Sequence, residues 1–359
     1  MHRKRESDEA VNPNRWIFST ITSLFATFLE QISAACRKMD RIKIDLAGKF
    51  LFMRSVCKKY FTPLALLMAA MAFAHGSFGQ RRADSLAYQF SYSATYDPSI
   101  SPDGQKMVYI SQFMGREQLF IRNIDGSGVF QLTRDDAHHE DPAWSPDGKR
   151  IAFVYIKDEL EVTSLINIDG TGMKELTPRS VKTIHPNWHP DGTKLAYCTD
   201  DDLAPPRKND ADINVIDIAT GKITTLITGG VNTYPSWSPN GSQLAFRRMI
   251  GEMNSEVFIA NSDGTGAKNL TNHPSFDGWP SWSPDGTRIA FASNRNSSYQ
   301  IFTMNPDGSE VRLLANTEGR ATAPQWARDG QKIYFPICKN VDFGSACEIF
   351  VARTQGFVR

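Results

Sequence analysis

Residues 142–148 read Pro142-Ala143-Trp144-Ser145-Pro146-Asp147-Gly148, and the same seven-residue pattern occurs at five other places in the chain. Its leading proline recurs as Pro98, Pro186, Pro235, Pro280 and Pro324, and its tryptophan position is filled by Ile100, Trp188, Trp237, Trp282 and Trp326. The spacings between successive leading prolines are 44, 44, 49, 45 and 44 residues. A period of this size marks a stack of equivalent supersecondary units, none of which can bury its apolar surface alone.

Working outward from the pattern, an alternating apolar run follows each Asp-Gly or Asn-Gly turn, as in Ile151-Ala152-Phe153-Val154 and Leu244-Ala245-Phe246. A second run follows, such as Val257-Phe258-Ile259, then a further turn such as Asp263-Gly264, then a short strand ending near Leu-Thr. Asp-Gly between alternating runs is a hairpin signal because both turn positions tolerate positive φ. Each unit therefore reads as a four-stranded antiparallel meander, and units of 40 to 45 residues with this strand count stack radially as blades. The expected fold is all-β, a six-bladed β-propeller. The sixth unit has little chain left after Glu348 to Arg353 for its outer strand, whereas Leu86, Tyr88, Phe90 and Tyr92 alternate ahead of the first unit. That N-terminal strand is expected to close the last blade and so leave no long sheet edge exposed.

The chain has 359 residues, with Lys+Arg 40 against Asp+Glu 39, so no broad cationic field is present and nucleic acid is not an expected partner. Charged residues at 22% and hydrophobic residues at 41% are ordinary for a folded domain. None of the five cysteines falls in a C-x-x-C pair, and no cofactor signature is present. Three segments are expected. Residues 53–79 read as a signal peptide: Arg54, Lys58 and Lys59 precede an apolar run from Phe61 to Ala74, which ends in small residues before Gln80. Residues 1–52 form an extension that is either untranslated or disordered or helical, with a stripe at Ile17, Ile21, Leu24, Phe25 and Phe28. Residues 80–359 form the propeller.

Loops on a rigid scaffold are where binding concentrates, and the blade connections share one face with the loops between second and third strands. The residue before each leading proline enters the innermost strand at that face: Asp97, Asp141, His185, Tyr234, Trp279 and Ala323. With His138, His139 and Glu140 beside them, these residues form a candidate channel rim. Asp97, Asp141 and His185 on consecutive blades could hold a divalent cation or simply line a wet channel. Tyr234 and Trp279 could stack a sugar or a partner side chain, or pack between blades. The acidic loop from Thr199 to Asp212 reads as a solvated loop, with a calcium or docking loop as the sharper alternative. In an oxidising compartment Cys338 and Cys347 can pair or remain as two thiols, which would leave Cys198 free.

The repeated Pro-x-Trp-Ser-Pro-Asp-Gly units, the Asp-Gly-x-Gly turns and the Leu-Thr ends resemble the TolB-like family of six-bladed periplasmic propellers over about residues 84–352. The α/β domain that precedes the propeller in TolB has no match in this sequence. Similar blades occur in prolyl oligopeptidase-like enzymes, but no Gly-x-Ser-x-Gly nucleophile elbow is present. The resemblance implies an exported, non-enzymatic scaffold, periplasmic or secreted, that binds an envelope protein such as a peptidoglycan-associated lipoprotein. A carbohydrate-binding or oligosaccharide lyase-like propeller is the alternative. Signal peptides act at the start of a chain, so translation from Met53 and cleavage after Gly79 are expected. N-terminal sequencing of the exported protein should read from Gln80, and a mature terminus upstream of Met53 would refute this.

Overall fold

The computed structural model describes residues 87–89 as backbone, together with 95–113, 115–200, 210–339 and 347–354. The extension, the signal segment and most of the acidic loop after Thr199 lie outside the described residues. All regular structure among the described residues is β-strand, arranged as six antiparallel sheets in a six-bladed propeller. Blade 1 runs through Thr95–Ile100, Lys106–Phe113, Arg116–Asn123 and Phe130–Gln131, in that order from inner to outer strand, and blades 2 to 5 repeat this order. In blade 6 the inner strand is split into Arg320–Ala321 and Gln325–Trp326.

The repeat owes its Ser and Asp to turn chemistry. In blade 1 the Ser101 hydroxyl donates to Asp103 Oδ1 at 2.5 Å and accepts the Lys106 N–H at 2.8 Å. Asp103 Oδ1 also accepts the Gln105 N–H at 3.0 Å, and Gly104 turns the chain at φ 72°. Ser145 with Asp147, Ser238 with Asn240, and Ser283 with Asp285 repeat the contact. These side chains satisfy backbone groups locally, as Asx-turns do.

The tryptophans join the blades. Trp188, Trp282 and Trp326 donate their indole N–H to the carbonyls of Ala143, Ser236 and Ser281 in the preceding blade, at 3.2, 3.2 and 3.0 Å. Six apolar clusters lie at the six blade interfaces. Blades 1 and 2 share Ile110, Leu119, Trp144 and Phe153, and the other consecutive pairs repeat the arrangement. The sixth cluster joins Met107 and Tyr109 of blade 1 to Tyr334, Ile349 and Val351 of blade 6.

Blade 6 is completed from the other end of the chain, as the alternation at Leu86 to Tyr92 predicts. Ala87–Gln89 pairs antiparallel with Cys347–Arg353, in the register Ala87 with Ala352, Tyr88 with Val351 and Gln89 with Phe350. Deleting residues 84–93 is expected to lower the melting temperature by at least about 5 °C, since about 1 kcal/mol is worth 2 to 4 °C in a domain of this size. An unchanged melting curve would show that the ring closes without this strand. Phe335 is 0% exposed in the blade 5–6 cluster. Phe335→Ala should therefore cost about 3 to 5 kcal/mol in denaturant unfolding.

Candidate functional site at the channel mouth

One backbone feature repeats at the start of every blade. Asp97, Asp141, His185, Tyr234, Trp279 and Ala323 all have positive φ, between 43° and 55°. In blades 1 to 5 the pairing of the inner strand to the second strand shifts register across this residue, as between Glu140 and Ala143. A left-handed conformation before proline is unfavourable for a side-chain-bearing residue. It is adopted here by Asp, His, Tyr, Trp and Ala alike, so the bulge and not the residue type dictates it. The bulge inserts one extra residue into the inner strand, and the six inserted residues ring the mouth of the channel.

Blades 1 and 2 supply carboxylates to this mouth. Burial in the channel wall, and then the charge of a neighbouring carboxylate, push Asp97 and Asp141 well above the ordinary carboxylate range. For Asp97 that neighbour is Glu140, and for Asp141 it is Asp97. The His185 N–H, donating to Asp141 Oδ2 at 3.1 Å, partly offsets the shift of Asp141. Burial, then Asp141 and Glu117, raise Glu140 to about 7. Glu117 is pushed up by burial but ends below its ordinary value, because His138 and Gln112 hydrogen-bond to it. Glu161 extends the acidic arc and is paired with Lys182 at 3.6 Å.

Blades 3 to 6 supply rings and guanidiniums. His185 packs on Tyr234 at 3.7 Å between centroids, Tyr234 lies 5.2 Å from Trp279, and Trp279 meets Tyr299 edge-on at 5.7 Å. Phe276 closes the group at 5.8 Å from Tyr299. The Arg247 guanidinium lies 4.7 Å from the Tyr234 centroid and 5.2 Å from that of Phe276. Arg320 lies 4.5 Å from the Tyr299 centroid. Such contacts stabilise a cation by roughly 0.5 to 2 kcal/mol each. The mouth is thus acidic on one side and aromatic and basic on the other.

Of the sequence-predicted rim residues, Asp97, His138, Asp141, His185, Tyr234 and Trp279 come together here. His139 does not. It is 0% exposed and packs between Phe153 and Tyr155, with centroids at 5.4 and 5.6 Å. Strand alternation turns it away from the side of His138 and Glu140 and into the blade. His185 Nδ1 lies 3.5 Å from the sulfur of Cys198, a buried thiol outside the disulfide. Among the described residues no group of three or more His, Cys, Asp or Glu is arranged to hold a metal ion, so Asp97, Asp141 and His185 do not form a ligand set. Cys338 and Cys347 are joined by a disulfide between the second and third strands of blade 6. A separate cleft of about 350 Å³ opens on the opposite face between blades 1 and 2, lined in part by Lys106, Phe130 and Trp144.

The family model for the TolB beta propeller domain matches residues 85–206 and 164–348, together well over half of the chain. The chain belongs to this family. Among solved structures it is similar to a putative TolB from Agrobacterium tumefaciens, with a TM-score of 0.57 and 20% identity over 74% of this chain and 96% of that one. TolB from Acinetobacter baumannii gives 0.55 and 18% over 73% of this chain and 63% of that one, so this chain spans less than two thirds of that protein. An oligogalacturonate lyase from Vibrio parahaemolyticus gives 0.52 and 14% over 74% and 93%. At these identities the likeness is one of fold, which does not choose between functions. No curated protein sequence matches the chain.

Arg247, Phe276, Tyr299 and Arg320 of this TolB-family propeller are not found by aligning the leading prolines, because they come from other strands and connections. A signal does exist for Arg247. The equivalent second-strand position holds Ile110, Val154, Cys198, Ala292 and Pro336 in the other blades, so a cation there breaks an apolar column. The acidic arc makes stability depend on pH with a defined sign. A carboxyl whose pKa is raised in the folded state contributes stability that is complete below its unfolded pKa, near 4, and is lost as pH rises through the folded value. The contribution of Glu140, Asp97 and Asp141 should therefore fall between about pH 4 and 8, by up to about 1.4 kcal/mol per pH unit for each proton held only by the folded chain. Thermal melts of the wild type should drop between pH 5 and 8, and Asp141→Asn should flatten that slope. Parallel curves for the two proteins would contradict the assignment.

Proposed function

We propose that this TolB-family propeller is an exported, non-enzymatic scaffold that binds a segment of another protein across the channel mouth. The observation that carries this reading is the division of the mouth, with the carboxyl groups of Asp97, Glu140 and Asp141 on blades 1 and 2 and the Arg247 and Arg320 guanidiniums against aromatic rings on blades 4 to 6. A protein segment presents acidic, basic, apolar and backbone groups within a few residues, and so can meet both arcs. A rigid ring is suited to the task, because a preformed surface avoids the ordering cost of binding. The export signal at residues 53–79 and the propeller at 80–359 give the expected mature protein. An envelope protein is the expected partner, with a peptidoglycan-associated lipoprotein the first candidate from the family resemblance.

A carbohydrate-binding role is the second reading. Tyr234, Trp279 and Tyr299 supply a stacking surface, and oligogalacturonate lyases, one of them in complex with manganese, share the fold. A sugar acid would add negative charge beside the crowded carboxyl groups of Asp97, Glu140 and Asp141 and oppose whatever ionisation they retain, which is why this reading ranks below the first.

Amine-directed crosslinking of the protein in its own envelope separates the two faces. Lys157 and Lys182 lie on the loop-rich face, whereas Lys174 and Lys268 follow the Asp-Gly turns of the other. Links to one envelope protein should come from Lys157 and Lys182, and Trp279→Ala should reduce them about tenfold or more, the usual range for an aromatic anchor. Links confined to Lys174 and Lys268 would place binding elsewhere.

A further inference from the structure

Two cations at the mouth have no carboxylate partner among the described residues. Arg247 and Arg320 come from blades 4 and 6, and their guanidinium carbons lie 5.7 and 5.9 Å from the centroid of the same ring, Trp279 of blade 5. Neither forms an ion pair with any described carboxylate, and Arg247 Nε is buried without a hydrogen-bond partner. The contrast with Arg295 is instructive: it belongs to the same end of blade 5 and is held at 2.8 Å by the buried Asp277. Burial of Arg247 leaves a desolvation cost that, among the described residues, cation–π contacts alone offset, and an anion held between it and the exposed Arg320 would relieve that cost.

The chain makes room for this arrangement. Gly278 precedes Trp279, and a Cβ there would stand 2.9 Å from Arg247 Cδ. Its φ is not positive, so the glycine is required by close approach and not by backbone conformation. The equivalent position in the other blades is Tyr96, Glu140, Ile184, Thr233 and Thr322, all with side chains. Arginine in the apolar column of blade 4 and glycine opposite it in blade 5 are paired departures from the repeat. Together they bring a guanidinium to the mouth.

We infer that Arg247 and Arg320, over the Trp279 ring, form a carboxylate clamp that takes an acidic side chain of an extended peptide. This rests on the reading of the mouth as a protein-binding site. Guanidinium recognises carboxylate through paired N–H donors, and Trp279 with Tyr299 gives an apolar bed for the methylenes beside it. A chain of uronic acids offers carboxylates too, but each further unit would meet Asp97, Glu140 or Asp141 across the channel. A peptide turns neutral amides toward those groups.

The test uses the full chain, immobilised at pH 7, and two pools of N-acetylated, C-amidated octapeptides, randomised except for a fixed central Glu in one pool and Gln in the other. A uronate trisaccharide serves as the third probe. The Glu pool should be retained at least about tenfold more than the Gln pool, and the ratio should collapse in Arg247→Gln and in Arg320→Gln, with retention of the Gln pool unchanged. Gly278→Ala, which presses on the Arg247 stem, should lower the ratio as well. Arg320 is exposed, so its variant keeps the test readable if Arg247→Gln melts early. Equal retention of both pools by the wild type would overturn the clamp while leaving peptide binding standing. Retention of neither pool would overturn both. Retention of the trisaccharide alone, lost in the arginine variants, would assign the cations to a sugar acid and overturn the peptide clamp.

Discussion

Everything in this molecule depends on closure of the ring. A four-stranded blade has two apolar faces and can cover neither by itself, so each cluster of buried side chains is shared between two blades. Five such interfaces follow from chain order alone. The sixth brings Met107 and Tyr109 against Ile349 and Val351, and Ala87–Gln89 pairs with the last strand to complete the blade that supplies the latter two. With that pairing every blade has neighbours on both sides, and the long edge that would invite association is removed. A closed ring also holds the inner strands at a fixed distance from the axis, and with them the side chains at the channel mouth.

The same constraint positions the candidate site. The positive-φ residue before each leading proline costs of order 1 to 3 kcal/mol where it carries a side chain. It recurs in all six blades, so it belongs to the architecture and is offset by the pairing on either side of the bulge. Its effect is to give each blade one residue at an equivalent place at the channel mouth, although Trp279 also packs against the apolar cluster between blades 5 and 6. Asp97, Asp141, His185, Tyr234, Trp279 and Ala323 differ in charge, size and polarity, yet the backbone around them is the same. The scaffold fixes where these side chains stand, and the sequence is left to choose what they are.

Most of the fold could be read from the repeat because its signals are local. Asp-Gly turns, alternating strands and a regular period each act within a few residues of chain, and their consistency points to one structure. Even the closing strand could be read, from alternation at Leu86 to Tyr92 and a sixth unit that runs short. The rim was legible in part, because the leading proline marks one channel-facing position per blade. His139 shows where that reading stops: it is adjacent to His138, and only the pleat decides that one faces the mouth and the other packs on Phe153. The arginines escaped it for a different reason. Arg247 reaches the mouth from a second strand and Arg320 from the connection into blade 6, and whether those side chains reach the channel depends on what the neighbouring blade leaves open.

A repeat protein carries its own comparison set, and that is the strongest argument for the site. Six blades solve one packing problem, so a residue that matches its column is explained by packing, and one that breaks the column needs another reason. Trp188, Trp282 and Trp326 match, and their indoles serve the blade interfaces. Arg247 breaks a column of Ile, Val, Cys, Ala and Pro, and Gly278 breaks the column facing it. A cation in place of an apolar residue costs desolvation, and a glycine in a strand weakens pairing, so neither serves the stability of the ring. The two changes meet at one point, where the Gly278 backbone approaches the Arg247 stem and Trp279 and Tyr234 lie against the guanidinium. Paired costs that converge on a solvent-facing mouth are what a binding site imposes on a scaffold, and stability alone gives no reason for them to coincide.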